Sequence, residues 1–160
     1  MKRKRGIKKI SKYILNVILI IYAVFCSDMA VSEDCQHTKL TFKCVKYLYN
    51  YDGDTVTFHI PNVHPLLGDK MSVRLYGVDT PEIKGKDICE KRAAQVAKRL
   101  VQIELTNAKI IHLKNIQKGK YFRIVADIIY DGKSLSDLLI SKKLAYRYYG
   151  DKKLKINWCR

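Results

Sequence analysis

Asp52, Asp54, Asp79 and Glu82 fall in two short acidic segments, Tyr51-Asp52-Gly53-Asp54-Thr55-Val56 and Val73-Arg74-Leu75-Tyr76-Gly77-Val78-Asp79-Thr80-Pro81-Glu82, within a 160-residue chain of net charge +16. Carboxylates gathered this way suit a hard cation such as calcium, which takes about six to eight oxygen ligands from side chains, carbonyls, water and substrate. Asp52 and Asp54 are two positions apart, so on an extended backbone their side chains share a face. Asp52-Gly53 is equally a hairpin-turn dipeptide, and the two readings are compatible. Alternation along Val73 to Val78 puts Val73, Leu75 and Gly77 on one face and Arg74 and Tyr76 on the other, with Asp79 just past the strand end. Arg74 thus projects beside the acidic segments, and Arg123, between Phe122 and Ile124, supplies a second guanidinium on a strand. A guanidinium can donate two parallel hydrogen bonds to a phosphate. Phosphodiester hydrolysis needs charge neutralisation on the phosphate oxygens and an activated water, which metal, arginines and a base can provide. Glu82, after Pro81, is the candidate to position or deprotonate that water. The plainer readings are a salt-bridged strand arginine and a surface glutamate.

Other chemistries find less support. His37, His59, His64 and His112 are dispersed and lack H-x-x-x-H or H-x-E spacing. No two cysteines have C-x-x-C spacing, which argues against structural zinc. Cys35, Cys44, Cys89 and Cys159 follow the amino-terminal segment, an even number that fits disulfides in an oxidising compartment. Three pairings are open: Cys35 with Cys44 would close a short loop, and Cys89 with Cys159 would pin the chain end.

The elements that must position these groups read as three strands, a helix, two strands and a helix. Leu40 to Tyr49 and Thr55 to Ile60 are rich in β-branched and aromatic residues around Asp52-Gly53, and Met71 to Val78 follows the loop Pro61 to Lys70. Asp87 to Leu105 takes helical spacing, with Asp87 and Glu90 resembling a capping box and Ile88, Ala93, Val96, Ala97, Leu100, Val101 and Leu105 as the inward stripe. Lys109 to Lys114 and Tyr121 to Tyr130 return to strand character across the turn Asn115 to Lys120. Ser134 to Lys143 forms a second helix, capped by Ser134. This order in a small basic domain predicts an α+β fold dominated by a five-stranded OB-fold barrel, closed or partly closed, with two to three packed helices.

Residues 1 to 12 carry seven Lys or Arg, and Tyr13 to Cys26 is a 14-residue apolar run broken by Asn16. That layout reads as an export signal, since the run is short of the roughly 20 residues a spanning helix needs. Residues 1–30 are therefore expected to be a signal peptide or amino-terminal anchor, 31–39 a flexible linker and 40–160 the folded domain. The expected location is secreted or periplasmic, with an anchored form facing out of the cytoplasm as the alternative. Removing those seven charges from +16 leaves +9, still enough to concentrate polyanions such as nucleic acid.

Asp52-Gly53-Asp54-Thr55, then Arg74-Leu75 leading to Val78-Asp79-Thr80-Pro81-Glu82, then Tyr121-Phe122-Arg123 before a strand ending Tyr130-Asp131-Gly132-Lys133, resemble the staphylococcal nuclease (thermonuclease) family from about Leu40 to Tyr149. The resemblance implies an OB-fold and calcium-dependent hydrolysis of DNA and RNA, preferring single or loosened strands and leaving 3′-phosphate ends. By position it implies Asp54 and Asp79 as calcium carboxylates, Thr80 as a carbonyl ligand, and Asp52 as an acid in the outer shell. It implies Arg74, Glu82 and Arg123 as catalytic residues, and Tyr121 and Tyr149 against the nucleotide. Three features depart from the pattern. Phe122 replaces a glycine before the second arginine, the flap Ile83 to Ile88 is short, and only Gly150 to Arg160 follow Tyr149, where Trp158 and Cys159 are expected to substitute for a helix. The protein is expected to act as a monomer, touching a membrane only through its amino-terminal segment. The competing reading is a catalytically silent OB-fold that binds nucleic acid or a partner. On sequence grounds Arg74→Ala and Glu82→Gln are both expected to leave folding intact.

Overall fold

The computed structural model describes residues 34–119 and 123–159, within a compact unit spanning Cys35–Arg160. The expected leader, Tyr121 and Phe122 lie outside the described residues. No helix among the described residues is long and apolar enough to cross a membrane.

Strands β1 (Thr41–Phe42), β2 (Lys46–Asn50) and β3 (Thr55–His59) are followed by a short helix α1 (Pro65–Gly68), then β4 (Met71–Leu75) and β5 (Val78–Asp79). Helix α2 (Ile88–Asn107) leads to β6 (Ile111–Lys118), β7 (Ile124–Tyr130) and β8 (Lys133–Ser134), and helix α3 (Leu135–Ser141) to β9 (Tyr146–Arg147). The main sheet runs β1-β6-β7-β4-β3-β2 with β8 beside β7, and β5 pairs with β9 in a separate ribbon. The fold is α+β and OB-like, as expected, but the sheet has seven strands and is open. Its end strands β1 and β2 do not pair with each other among the described residues. Among the described residues of that sheet only β4 and β7 run parallel, and β5, α2 and β6 provide the long crossover that parallel neighbours require.

Alternation decides which side chains enter the core. Val73 and Leu75 are buried on β4 while Arg74 looks away, and β7 buries Ala126, Ile128 and Tyr130. Ile111 and Leu113 of β6 and Leu135 and Leu139 of α3 complete the same cluster. Ser134 caps α3, accepting from the Asp137 N–H at 3.2 Å, as expected.

Strand β6 runs on to Lys118 through most of the expected turn Asn115 to Lys120, and α1 lies within the expected loop Pro61 to Lys70. Three further elements differ from the sequence reading. The strand expected over Met71 to Val78 breaks at Tyr76-Gly77, where Gly77 has φ +74°, a left-handed conformation that favours glycine. The strand expected over Leu40 to Tyr49 divides around Cys44. Helix α2 buries Ala94, Ala97, Val101 and Leu105, leaving Ile88 and Val96 exposed. Its small-residue face meets the chain turn at Gly53, where a Cβ would sit 2.9 Å from Ala97 Cβ and 2.9 Å from Thr80 Cγ2. Close approach at that point admits only a small residue at position 97, while Val101 and Leu105 further along the same face enter the apolar core.

Candidate active site

The turn between β2 and β3 is built by Asp52. Its Oδ1 accepts from the Asp54 N–H at 3.0 Å and the Thr55 N–H at 2.8 Å, the side-chain-to-backbone pattern of an aspartate turn. Asn50 donates to the Asp52 carbonyl at 2.7 Å and to the Lys98 carbonyl at 3.0 Å, tying the turn to α2. Asp54 therefore enters the interior at a fixed angle and is only 2 % exposed. Strand register then delivers its partner, since Thr55 lies opposite Arg74 in the β3–β4 pair.

Arg74 bridges two acids that are 25 residues apart in sequence. One guanidinium nitrogen donates to Asp54 Oδ1 at 2.7 Å and the other to Asp79 Oδ1 at 2.7 Å. Thr80 donates through its N–H at 3.1 Å and its hydroxyl at 3.0 Å to Asp54 Oδ2. The Tyr146 hydroxyl donates to Asp79 Oδ2 at 2.7 Å, placed there because β5 and β9 pair Asp79 with Tyr146. Asp79 and Thr80 are as buried as Asp54. Buried charges of this kind persist only when paired and hydrogen-bonded.

The electrostatics follow from the packing. Burial pushes the Asp54 carboxyl up to about 6, with Arg74 offsetting part of the effect and Asp52 adding to it. For Asp79 burial works in the same direction, but hydrogen bonds from Tyr146, Lys153 and Arg74 outweigh it and hold the carboxyl below its ordinary value. Burial and the bond to Asp79 push the Tyr146 hydroxyl up to about 12. Arg74 loses some preference for its charge through burial and regains more from Asp54 and Asp79, ending above the ordinary guanidinium range.

Above this floor opens a cleft of about 840 Å³ whose walls include Asp52, Arg74, Glu82, Arg123, Tyr149 and Lys153. Arg123 precedes β7, where its carbonyl accepts from the Gly119 N–H at 2.7 Å. Glu82 follows β5 in a loop; its N–H donates to Glu90 Oε1 at 3.2 Å. Glu90 thus fulfils half of the expected capping box. Asp87 caps α2 by accepting from the Cys89 and Glu90 N–H groups, while the Glu90 carboxylate anchors the Glu82 backbone. Tyr149 is 60 % exposed, tilted against Tyr76 with centroids 5.7 Å apart. It lies over the bare backbone of Gly77, where a Cβ would be 3.3 Å from its ring.

The structure thus gathers Asp52, Asp54, Asp79, Thr80, Arg74, Glu82, Arg123 and Tyr149 in or beneath one cleft. It also revises the expectation that Arg74 is dispensable for folding, because its guanidinium is the shared partner of two buried acids. Both disulfides close: Cys35 with Cys44 and Cys89 with Cys159, at Cα separations of 5.5 and 5.1 Å. Trp158 packs against Tyr146 at 6.4 Å beside the second of them. Two contributors escaped the sequence reading, Tyr146 and Lys153. Alternation in Tyr146 to Tyr149 could have flagged Tyr146 as facing opposite to Arg147; nothing local marks Lys153. The histidines have hydrogen-bonding roles away from the cleft: His59 with Asp69 at 2.8 Å, His64 at the start of α1, His37 with the Pro61 carbonyl at 2.6 Å, and His112, which accepts from the Cys44 N–H at 3.1 Å.

Asp54 and Asp79 offer hard oxygen donors of the kind a calcium ion requires, converging from two elements, and the donor set fits. Those oxygens are engaged by Arg74, Thr80, Tyr146 and Lys153, so an ion must compete for them. Among the described residues, the grouping of three metal-type side chains with ligand atoms within 4.8 Å of one another is Asp87, Cys89 and Cys159, and the disulfide takes both of its sulfurs.

No curated protein matches the chain. The family model described as staphylococcal nuclease homologue matches residues 72–157, which include Arg74, Asp79, Thr80, Glu82, Arg123 and Tyr149, whereas Asp52 and Asp54 join them through strand register and hydrogen bonds. With more than half of its 160 residues matched, and an OB-like α+β fold beneath them, the chain belongs to the staphylococcal nuclease homologue family.

Proposed function

We propose that the chain is an exported, calcium-dependent nuclease that hydrolyses DNA and RNA with little sequence preference and leaves 3′-phosphate ends. The observation that carries this reading is the convergence of two guanidiniums and one exposed carboxylate, Arg74, Arg123 and Glu82, on a single cleft floored by buried acids. Arg74 and Arg123 hold the non-bridging oxygens of the phosphate, the place where charge builds up in the transition state. Glu82 takes the proton of the attacking water; a P–O bond forms to that water, the bond to the 5′ oxygen breaks, and the 5′ oxygen gains a proton. Asp54, Asp79 and the Thr80 carbonyl hold the calcium ion, with Asp52 shaping the turn behind them. When bound, calcium supplies positive charge that polarises water and phosphate. Tyr149, together with Tyr121, stacks a base without regard to its identity.

Two disulfides fit an oxidising compartment, which supports export through residues 1–30, ahead of a folded domain that takes in the latter part of the expected linker 31–39 through the Cys35–Cys44 bond. The protein acts as a monomer in this reading. Digestion of single-stranded DNA, duplex DNA and RNA by the disulfide-intact protein, with calcium and with a chelator, tests it. Calcium-dependent release of 3′-phosphate fragments is the expected result. Binding without cleavage under every condition would instead identify a silent nucleic-acid-binding OB-fold.

A further inference from the structure

The segment after β9 has neither helix nor strand through residue 159, yet it is held at both ends. At its start the Tyr148 N–H donates to the Gly77 carbonyl at 3.1 Å. At its end Cys159 is bonded to Cys89 in the first turn of α2, and Trp158 rests on Tyr146. Between these anchors Lys153 reaches into the cleft. Its ammonium lies 2.8 Å from Glu82 Oε1 and 3.0 Å from Asp79 Oδ1, and that same Asp79 oxygen already accepts from Arg74.

An ammonium is a compact charge with three donors, suited to sit between two carboxylates. Hard divalent cations seek the same oxygens. Because the segment is closed into a strap, the ammonium is presented at a high effective concentration and needs no further chain ordering to arrive. The acids it spans are unlike: Asp79 is buried and Glu82 is half exposed. One charge therefore links the floor of the site to its rim.

We propose that Lys153 is a built-in cation of this site, which competes with the divalent ion for Asp79, holds Glu82 beside it, and so sets the metal affinity. The inference rests on the metal-dependent reading of the cleft. If the ammonium occupies its position in nine molecules of ten, the apparent affinity for the ion is weakened about tenfold, since only the remaining fraction is competent to bind.

Calorimetric titration of calcium into the full, oxidised protein and its Lys153→Met and Lys153→Arg variants tests this without recourse to activity. Lys153→Met is expected to bind calcium about tenfold more tightly, with Lys153→Arg within about threefold of the parent. Equal or weaker binding by Lys153→Met overturns the inference while leaving the metal-dependent reading intact. Absence of calcium binding in parent and variants alike overturns both. A Cys89→Ser/Cys159→Ser pair tests the strap: it should tighten calcium binding in the parent and add nothing in the Lys153→Met background. Independent, additive effects would overturn the tether. If that pair fails to fold, Lys153→Met decides the matter alone.

Discussion

The floor and the rim of the cleft are built on different physical terms. Asp54, Asp79, Thr80 and Arg74 sit at strand ends, mostly buried, each fixed by two or more hydrogen bonds. Glu82, Arg123, Tyr149 and Lys153 lie outside the regular elements and are largely exposed. The floor is fixed in place by its own bonds, with the acid oxygens and the Arg74 guanidinium already engaged with one another. The rim is adjustable, and its exposed ion pairs contribute little to stability. A change in the floor should therefore disturb folding and function together, and a change in the rim should separate them.

The sharpest way to break that contrast is Arg74→Ala. It removes the shared charged partner of two buried carboxylates, leaving Asp54 to Thr80 and Asp79 to Tyr146 and Lys153, and unfolding in urea should show a loss of about 3–5 kcal/mol, alongside a fall in nuclease turnover of at least about a hundredfold. Unchanged stability would put Arg74 on the rim. Glu82→Gln is the complementary case: turnover is expected to drop about 100- to 1000-fold while the urea midpoint stays within about 0.5 kcal/mol of the parent. A matching loss of stability would make Glu82 part of the floor.

Asp54 sharpens the comparison through pH. Its carboxyl is raised in the folded protein to about 6 from an ordinary 3.8, so its neutral form is the one the fold favours. The metal-free protein keeps that preference below pH 3.8 and loses it as pH rises through about 6. Asp54→Asn copies the neutral form. It should stabilise the metal-free protein by about 1–3 kcal/mol at pH 7, with the gain shrinking to nothing near pH 4, while calcium binding is lost. Thermal unfolding across pH 4 to 8 in chelator checks both signs. The mildest perturbation is Tyr149→Ala, which should weaken binding of short single-stranded DNA by about 1–3 kcal/mol without shifting the urea midpoint by more than about 0.5 kcal/mol.

Local pattern carried the parts of this site that depend on local geometry. Alternation from Val73 to Leu75 was enough to turn Arg74 away from the core, Asp52-Gly53 was enough to mark the turn, and Ser134 was enough to start α3. The rest depends on partners far along the chain. Tyr146 meets Asp79 across 67 positions and Lys153 meets Glu82 across 71, separations over which no periodicity carries a signal. Four cysteines permitted three pairings, and only the fold selected between them. The inward face of α2 was misjudged because Ile88 and Val96 are more apolar than Ala94 and Ala97. What the helix needed there was thinness. Gly77 hid inside a good strand pattern because the excursion to positive φ turns Val78 into the core beside Val73 and Leu75, a change of phase that an apolar residue at 78 does not announce.

That thinness has a mechanical side. Helix α2 meets the turn at Gly53, a patch of backbone with no side chain, and Thr80 leans on the same patch from the other direction. A push across the helix bears on Thr80, whose N–H and hydroxyl hold Asp54 Oδ2, while a shift along the helix axis pulls on the Asn50 bond to the Lys98 carbonyl that ties the same turn. Both displacements reach the turn behind the acid pair, so remote substitutions that tilt α2 and those that slide it should each be felt there.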